Sequence, residues 1–333
     1  MTLKEIASAA GVSMATVSRV INRSGYVNEK TYQRVMEVAT EGGYFRDRRA
    51  NKKPGNLVAV VVPDLANPFF ADVIGGIRSV VEKEKKEIIV MDSQENVQVE
   101  KRILSRIQGF DLCGLVITPI TDSGEEAEGQ EALLRSLGVP VVLVDRDVKN
   151  AAFDGVFVDN VMGAFEGTSF LIQSGFREIA IVAGPRYSKP GRERVEGYLN
   201  ALDKYRISPR DEWILEGDFS MEGGYALTNE LLDQQSPPKA IFSCNNLMTL
   251  GCIRALRDRK VEIGGDDGFA LVGFDEVEAL DVLGMKVPTV KRPTVEMGKT
   301  AAELLLRQIK DSGQSKESSR RRIVLTPRLE IND

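Results

Sequence analysis

The sequence has no histidine, and its cysteines are few: Cys113, Cys244 and Cys252. Because histidine is the commonest general base and metal ligand, its absence argues against an enzyme or a metalloprotein. The cysteines are widely spaced and odd in number, which favours a reducing cytoplasm over a disulfide framework or a zinc site. The sequence also lacks a GxSxG motif and a Walker-type phosphate loop. We therefore expect no catalytic residues, no cofactor and no metal ion.

Long apolar runs are also missing. None approaches the length of a transmembrane helix and no signal peptide is recognisable, so we expect a cytoplasmic protein with no membrane partner. A length of 333 residues predicts two or more folding units. Residues 1–53 carry a net charge of +5, whereas the whole chain carries −5. A basic head on an acidic body is typical of a nucleic-acid contact confined to the head.

The amino-terminal segment has the pattern of three short amphipathic helices in succession. Thr2 and Glu5 have the spacing of a capping box, which predicts a helix start, and Gly11 predicts the end of that helix. Ser13 is the expected N-cap of a second helix, and Asn28 marks the expected start of a third. Apolar residues recur at helical spacing in each segment, so we expect one buried face on each helix.

The outward face of the second predicted helix carries small residues and one arginine. Met14, Ala15, Ser18 and Arg19 recur there at one-turn spacing. Two helices joined by a tight glycine turn and supported by a third form a helix-turn-helix, whose second helix enters the major groove of DNA. Small side chains let the helix approach the bases, and an arginine can donate two hydrogen bonds to a guanine. The helical pattern alone fits a plain three-helix packing unit equally well, so the identity of the residues decides between the two.

Residues 7–22 read AxxAGVSxATVSRVIN, which resembles the DNA-binding headpiece of the LacI/GalR family of bacterial transcription regulators. The resemblance implies a homodimer that places two headpieces on a pseudo-palindromic operator of double-stranded DNA. The stretch SMATVSR is most similar to regulators of the catabolite-control type, which implies that Arg19 contacts a guanine. With two linker arginines included, the implied DNA-binding residues are Thr2, Ser13, Met14, Ala15, Thr16, Ser18, Arg19, Asn22, Asn28, Thr31, Arg48 and Arg49.

A short basic linker, residues 46–56, follows the headpiece, which we place at 1–45. The linker is either a solvated connection or a hinge that contacts DNA phosphates or enters a minor groove. Members of the family usually carry a longer hinge whose leucine is wedged into the minor groove. This chain has no leucine between Tyr44 and Leu57. We therefore expect phosphate contacts from the linker but not the leucine wedge.

Beyond the linker, apolar runs alternate with helical patterns, which predicts βαβ units and parallel sheets. Strands are predicted at 57–62, 88–91, 114–117, 140–144, 178–183, 239–243 and 269–273. We expect segment 285–293 to return to the first lobe and segment 322–327 to complete the second. The predicted body, 57–333, divides into a first lobe of about 57–158 and 286–318 and a second lobe of about 159–285 and 319–333.

Polar and aromatic residues follow the carboxyl ends of several predicted strands, where open parallel sheets bind ligands. Aromatic faces combined with carboxylate, amide and guanidinium groups are what a sugar requires. Taken singly, these residues have simpler explanations. Asn67 and Asp275 fit helix caps, Phe70 fits a core position, and Arg194 fits a surface salt bridge of little energetic value. Their joint placement at strand ends favours a binding site.

The two-lobed pattern resembles the type I periplasmic-binding-protein fold that the family carries behind its headpiece. The motifs NPFF, DR, the arginine of RVEGY, the first asparagine of CNN and the aspartate of GFDE resemble the sugar-contacting positions of ribose-binding-type members. The resemblance implies an effector site, completed by an arginine in the crossing segment, that consists of Asn67, Phe69, Phe70, Asp145, Arg146, Arg194, Phe219, Asn245, Asp275 and Arg292.

Two residues depart from that pattern. The family often has Asn-Asp where this chain has Asn245-Asn246, and often has glutamine at the position of Arg292. One anion fewer and one cation more predict an anionic sugar, such as a uronate, an aldonate or a sugar phosphate.

Taken together, these patterns predict an α/β transcriptional regulator, most simply a repressor, whose operator affinity is controlled by a sugar or sugar acid. Two alternatives stay open. One is a catabolite-control-type regulator gated by a phosphoprotein partner. The other is a sugar-binding protein without a gating role.

Overall fold

The protein begins with three helices in the computed structural model, which describes residues 1–22, 25, 27–42, 44, 55–122, 129–149, 151–264, 268–311 and 320–331. The helices are α1 (Leu3–Ala10), α2 (Met14–Asn22) and α3 (Glu29–Glu41). The predicted capping box is confirmed: the Glu5 amide donates to Thr2 Oγ1 at 3.3 Å, and the Thr2 amide donates to Glu5 Oε2 at 2.8 Å. Gly11 ends α1 with a left-handed backbone at φ 63°, which glycine adopts without steric cost.

The three helices enclose a small apolar core of their own. Its buried residues include Ile6 and Ala10 of α1, Val17 and Val20 of α2, and Val35 of α3. These positions are the ones that helical periodicity predicts for the inward faces. The opposite face of α2 is therefore left to solvent.

The first lobe is built on a six-stranded, wholly parallel sheet. Its order is β11-β5-β4-β3-β1-β2. The strands are β1 (Leu57–Val62), β2 (Glu87–Asp92), β3 (Leu112–Ile117), β4 (Val141–Val144), β5 (Asp154–Val158) and β11 (Arg322–Leu325). Helices cover both faces, which explains why β1 and β3 are apolar without alternation. One face packs on α4 (Pro68–Val81) and α12 (Thr294–Asp311), and the other on α5 (Val97–Ile107) and α6 (Gln130–Ser136).

The second lobe has a six-stranded sheet of order β12-β10-β9-β8-β6-β7, parallel except for the pair of β10 and β12. Its strands are β6 (Ile179–Ala183), β7 (Ile214–Glu216), β8 (Ala240–Ser243), β9 (Ala270–Phe274), β10 (Thr289–Lys291) and β12 (Arg328–Glu330). Its helices are α7 (Asn160–Gln173), α8 (Lys189–Lys204), α9 (Met221–Leu232), α10 (Asn246–Asp258) and α11 (Glu278–Val282). Across the described residues, no helix is both long enough and apolar enough to span a membrane.

The structure differs from the sequence-based expectation at two segments near the carboxyl end. We expected 285–293 in the first lobe, but β10 pairs with β9 in the second sheet because Val290 is buried in the apolar core of the second lobe. We expected one strand over 322–327 in the second lobe. Instead β11 joins the first sheet, and β12 joins the second after a break at Pro327, which cannot donate to a strand ladder.

Candidate functional site

All ten side chains that the sequence points to as an effector site line one cavity between the lobes. The cavity measures about 30 Å³, which is room for about one or two water molecules. Two further residues line it that sequence reasoning missed, Glu95 and Pro190. In the described part of the chain, no three acidic or cysteine side chains form a group that could hold a metal ion. The groups that line the cavity are carboxylates, guanidinium groups, amides and aromatic rings, together with Pro190.

The first-lobe wall begins at the amino end of α4. Asn67 caps this helix by accepting a hydrogen bond from the Phe69 amide at 3.0 Å. Asn67 is therefore a helix cap, as its simpler explanation holds, and it also lines the cavity. Phe69 and Phe70 stand edge to face with their ring centroids 4.8 Å apart. Phe70 also belongs to the first core. A rigid helix end therefore presents two aromatic rings to the cleft.

Asp145 and Asp275 face each other across the cavity with Arg292 between them. The Nη1 atom of Arg292 lies 2.5 Å from Asp145, while its Nε and Nη2 atoms lie 2.5 and 2.7 Å from the two oxygens of Asp275. All three side chains are about 95% buried. Burial lowers the pKa of Arg292, but the two carboxylates raise it more, so its pKa lies above the ordinary arginine value. The guanidinium therefore stays charged and joins the two lobes.

A second pair forms between the buried Arg146 and the half-buried Glu95. The Nη1 and Nη2 atoms of Arg146 donate to the two Glu95 oxygens at 2.9 and 2.5 Å, and Nη1 also donates to the Ile120 carbonyl at 3.2 Å. The Nε atom of Arg146 is buried without a hydrogen-bond partner among the described residues. Such an unsatisfied donor is costly in a protein interior, so it is well suited to an oxygen acceptor of a ligand.

Arg194 is held differently from the other two arginines. It is buried, stacks 3.8 Å from the ring centroid of Phe274, and donates to Asn160 Oδ1 and to the Cys244 carbonyl. No carboxylate of the described residues pairs with it, so it is not the surface salt bridge of the simpler interpretation. Burial first, and the positive charge of Arg292 second, lower the pKa of Arg194 to about 10. It stays charged at neutral pH and can bind an oxygen-rich ligand.

The remaining two predicted residues hold each other in place. Asn245 caps α10 by accepting from the Met248 amide at 2.8 Å, and its Nδ2 atom donates to the Phe219 carbonyl at 2.9 Å. The ring of Phe219 lies 5.5 Å from the guanidinium of Arg146. These bonds place a rigid aromatic ring on the second-lobe side of the cavity.

Backbone strain is concentrated around the same cavity. Glu95, Asp145, Phe219 and Asp275 have positive φ angles of 47°, 65°, 66° and 70°, and all four line the cavity. Residues other than glycine rarely adopt this region, and a bulky one such as phenylalanine does so least readily. Strain of this kind persists where the surrounding structure holds a side chain in a functional position.

The formal charges of the cavity cancel. Arg146, Arg194 and Arg292 are matched by Glu95, Asp145 and Asp275. The excess of positive charge that Arg292 predicted from sequence is therefore absent, because Glu95 was not counted. The charge argument for an anionic sugar loses its basis.

Direct hydrogen bonds join the lobes beside the cavity. The Nδ2 atom of Asn246 donates to Asn67 Oδ1 at 3.0 Å, and both side chains are buried. An aspartate at this position could not donate that bond, which gives the Asn245-Asn246 pair a physical reason. At another point the Nη2 atom of Arg192 lies 2.9 and 2.6 Å from the two Asp122 oxygens. Both contacts connect a first-lobe loop or helix end to a second-lobe helix.

The outward face of the headpiece has the predicted composition. Met14 is 55% exposed, and Ala15 and Arg19 are also exposed, whereas Thr16 and Ser18 are half-buried. Ser13 caps α2 through a 3.1 Å bond from the Thr16 amide. Thr2 and Asn28 are exposed at helix starts, and Thr31 is half-buried on α3. Outside the described residues lie Arg48 and Arg49, most of the linker and the side chain of Asn22.

The fold and both sites therefore define a helix-turn-helix protein with a two-lobed ligand-binding body. Family models match both parts of the chain. Residues 2–47 match the bacterial regulatory proteins of the lacI family, and residues 56–329 match the periplasmic binding proteins and sugar binding domain of LacI family. The chain belongs to the LacI family, whose members are DNA-binding transcription regulators and not enzymes.

Individual relatives are similar over nearly their full length. The ribose operon repressor of Haemophilus influenzae is 29% identical over 317 residues, covering 94% of this chain and 93% of that protein. The transcriptional regulator CelR–cellobiose complex aligns with a TM-score of 0.75 and 28% identity, covering 99% and 98% of the two chains. The lac repressor dimer bound to operator and the anti-inducer ONPF aligns with a TM-score of 0.71 and 25% identity, covering 100% and 98%.

Proposed function

We propose that this protein is a cytoplasmic repressor whose operator affinity is set by a small sugar bound between its lobes. The observation that carries the proposal is the convergence of carboxylates, amides, arginines and phenylalanines from both lobes on one cavity with a strained rim. Relatives with ribose or cellobiose in their names support a saccharide as the ligand class. The cancelled charges favour a neutral sugar over a sugar acid.

In this proposal the headpiece, 1–45, reads a pseudo-palindromic operator through α2, and the linker, 46–56, contacts phosphates. The body, 57–333, binds the effector and forms the homodimer. A dimer places two recognition helices on successive major grooves, because the half-sites of such operators lie about one helical turn apart. The operator-bound dimer of the lac repressor supports this arrangement. Closure of the lobes on a sugar would then change how the two headpieces are spaced.

The direct test is selection of bound genomic fragments, repeated with a panel of neutral sugars and sugar acids. We expect an enriched palindromic sequence whose recovery changes with at least one neutral sugar. Equal recovery of random duplex DNA under all conditions would contradict the DNA-reading half of the proposal. A fixed enrichment that no sugar changes would contradict the effector half.

A substitution on the recognition helix separates the two halves. Arg19→Ala removes an exposed guanidinium from the outward face of α2, so we expect operator binding to weaken by about 1–3 kcal/mol while sugar binding is unchanged. Operator and random duplexes would be titrated by fluorescence anisotropy. Arg34→Ala is the control, because it removes the same charge from the exposed face of α3. If Arg19→Ala weakened operator and sugar binding equally, Arg19 would be a structural residue.

A further inference from the structure

Arg292 makes, inside the cleft, the kinds of contact expected of a sugar. Its guanidinium donates to the Asp145 carboxylate of the first lobe and to both oxygens of the Asp275 carboxylate of the second. Its central carbon lies 3.6 Å from the ring centroid of Phe69, so the planar group is stacked on the aromatic face. Carboxylates can accept hydrogen bonds from sugar hydroxyls, and an aromatic ring can stack on the C–H face of a sugar. In this protein Arg292 already occupies both kinds of group.

The space that Arg292 leaves is too small for a saccharide. The inner cavity of about 30 Å³ holds about one or two water molecules, and even a pentose is several times larger. A second cavity of about 390 Å³ also has this arginine in its wall. Phe69, Asp275 and Arg292 line both cavities. Movement of the Arg292 side chain would therefore join the inner cavity to the larger one.

We propose that Arg292 is a built-in competitor of the effector, which closes the cleft by bridging Asp145 and Asp275 and must leave them before a sugar binds. The proposal rests on the sugar-gated function argued above. Arg292 lies in a segment that crosses between the lobes, directly after β10 and before α12. Its release removes a bridge between the lobes and leaves the Asp145 and Asp275 carboxylates without the donors of Arg292, which the hydroxyls of a sugar can replace.

The test compares Arg292→Gln with Lys291→Gln, and both variants lose one positive charge. Lys291 is the preceding residue, and its Nζ atom pairs with Glu276 and Glu330 of the second lobe at 2.5 and 2.6 Å. Calorimetric titration with neutral pentoses, hexoses and cellobiose measures affinity. Small-angle X-ray scattering of the full chain without sugar measures the radius of gyration, and thus lobe closure. Arg292→Lys keeps the charge without the planar fork and is the second variant if Arg292→Gln does not fold.

We expect Arg292→Gln to bind at least one neutral sugar about tenfold or more tightly than the unmodified chain, because the competing bridge from Arg292 to Asp145 and Asp275 is removed. We also expect a larger radius of gyration, and no change of either kind in Lys291→Gln. A sugar that binds the unmodified chain and Arg292→Gln equally well would overturn the inference and leave the proposed function standing.

If no sugar binds any variant, the effector half of the proposed function fails instead. The scattering data alone then test whether Arg292 holds the lobes closed. An unchanged radius in Arg292→Gln would overturn the inference, and a larger radius would support it.

Discussion

Glu100 is a fully buried carboxyl group beneath Ile120, whose carbonyl accepts a hydrogen bond from Arg146. It accepts hydrogen bonds from the Ile120 amide at 2.9 Å and from Gln130 Nε2 at 2.5 Å. Burial, which desolvates the carboxylate, raises the pKa of Glu100 from 4.5 to about 7. The neighbouring Gln130 Oε1 is buried and has no partner among the described residues. With the amide of Gln130 turned over, a protonated Glu100 would donate to that oxygen.

The raised pKa of Glu100 makes the free energy of unfolding depend on pH. Between pH 4.5 and about 7 the folded state holds a proton that the unfolded state has released, so stability falls as pH rises through this window. The total loss is roughly 3 kcal/mol. Glu100→Gln carries a neutral amide that can pair with Gln130, so we expect it to match the unmodified chain at pH 4.5 and to be more stable at pH 8.

Urea denaturation at pH 4.5, 6 and 8 would measure this difference. Glu131→Gln is the control, because the Glu131 side chain on α6 is 37% exposed and pairs only with the nearby Arg135 among the contacts described. If Glu100→Gln and Glu131→Gln changed stability equally at every pH, burial of Glu100 would not be the cause.

The residues at the strand ends could be predicted from the sequence to line the cavity, but the net charge of the cavity could not. Asp145 and Asp275 each follow the last residue of a strand directly, where the parallel-sheet rule places ligand contacts. Glu95 stands three residues beyond β2, in a turn with φ 47°, and pairs with Arg146, 51 positions away. Nothing in the local pattern connects these two residues. The sequence therefore locates the cleft, but its charge balance depends on the folded chain.

Among the elements, α4 and α12 pack so closely that glycine is required at the contact. A Cβ atom added to Gly76 would lie 2.2 Å from the Val295 carbonyl oxygen, and one added to Gly298 would lie 2.0 Å from the Val73 carbonyl oxygen. We expect Gly76→Ala to lower the free energy of unfolding by about 1–3 kcal/mol through overpacking. Gly75→Ala meets no atom within 4 Å and should raise it by about 0.5–1 kcal/mol, since alanine favours the helix.

Thermal and urea unfolding of the two variants would measure this contrast. If Gly76→Ala lowers the free energy of unfolding and Gly75→Ala raises it, the loss in Gly76→Ala comes from the helix–helix contact. Equal destabilisation by both substitutions would contradict the close packing of α4 on α12.

Element positions were largely predictable, whereas the assignment of the last strands to the lobes was not. The strand over 57–62 has the predicted bounds, and that over 269–273 is displaced by one residue, because buried parallel strands are continuous apolar runs. Ile323 and Leu325 pack on the first core but Leu329 packs on the second. Local hydrophobicity is the same in both cases, and which core each side chain meets is decided by distant residues.

In the described part of the molecule, the side-chain contacts that bridge the lobes include Asn246 with Asn67, Arg292 with Asp145, and Arg192 with Asp122. They differ in their relation to the cavity. Arg292 lies within it and blocks it, whereas Arg192 and Asp122 lie outside its wall. The Arg292 bridge therefore competes with a ligand, whereas the Arg192–Asp122 bridge only stabilises closure. The two arginines should affect ligand binding in opposite directions.

Arg192→Ala removes the outer bridge, so the binding-competent closed state becomes less populated and the apparent affinity for the effector falls with it. Because the Arg192 side chain is 41% exposed, solvent weakens the pair, and we expect a loss of about 1 kcal/mol, roughly fivefold in affinity. Arg186→Ala is the matched control, since Arg186 pairs with Glu216 inside the second lobe.

Calorimetric titration of the sugar that binds the unmodified chain would measure both arginine variants beside Arg292→Gln. Weaker binding in Arg192→Ala together with tighter binding in Arg292→Gln would mean that closure of the lobes favours ligand binding. It would also mean that, of the two arginines, only Arg292 occupies the position of the ligand. If all the arginine variants weakened binding alike, Arg292 would be a ligand contact instead of a competitor. If Arg186→Ala weakened it as much as Arg192→Ala, loss of surface charge would explain both.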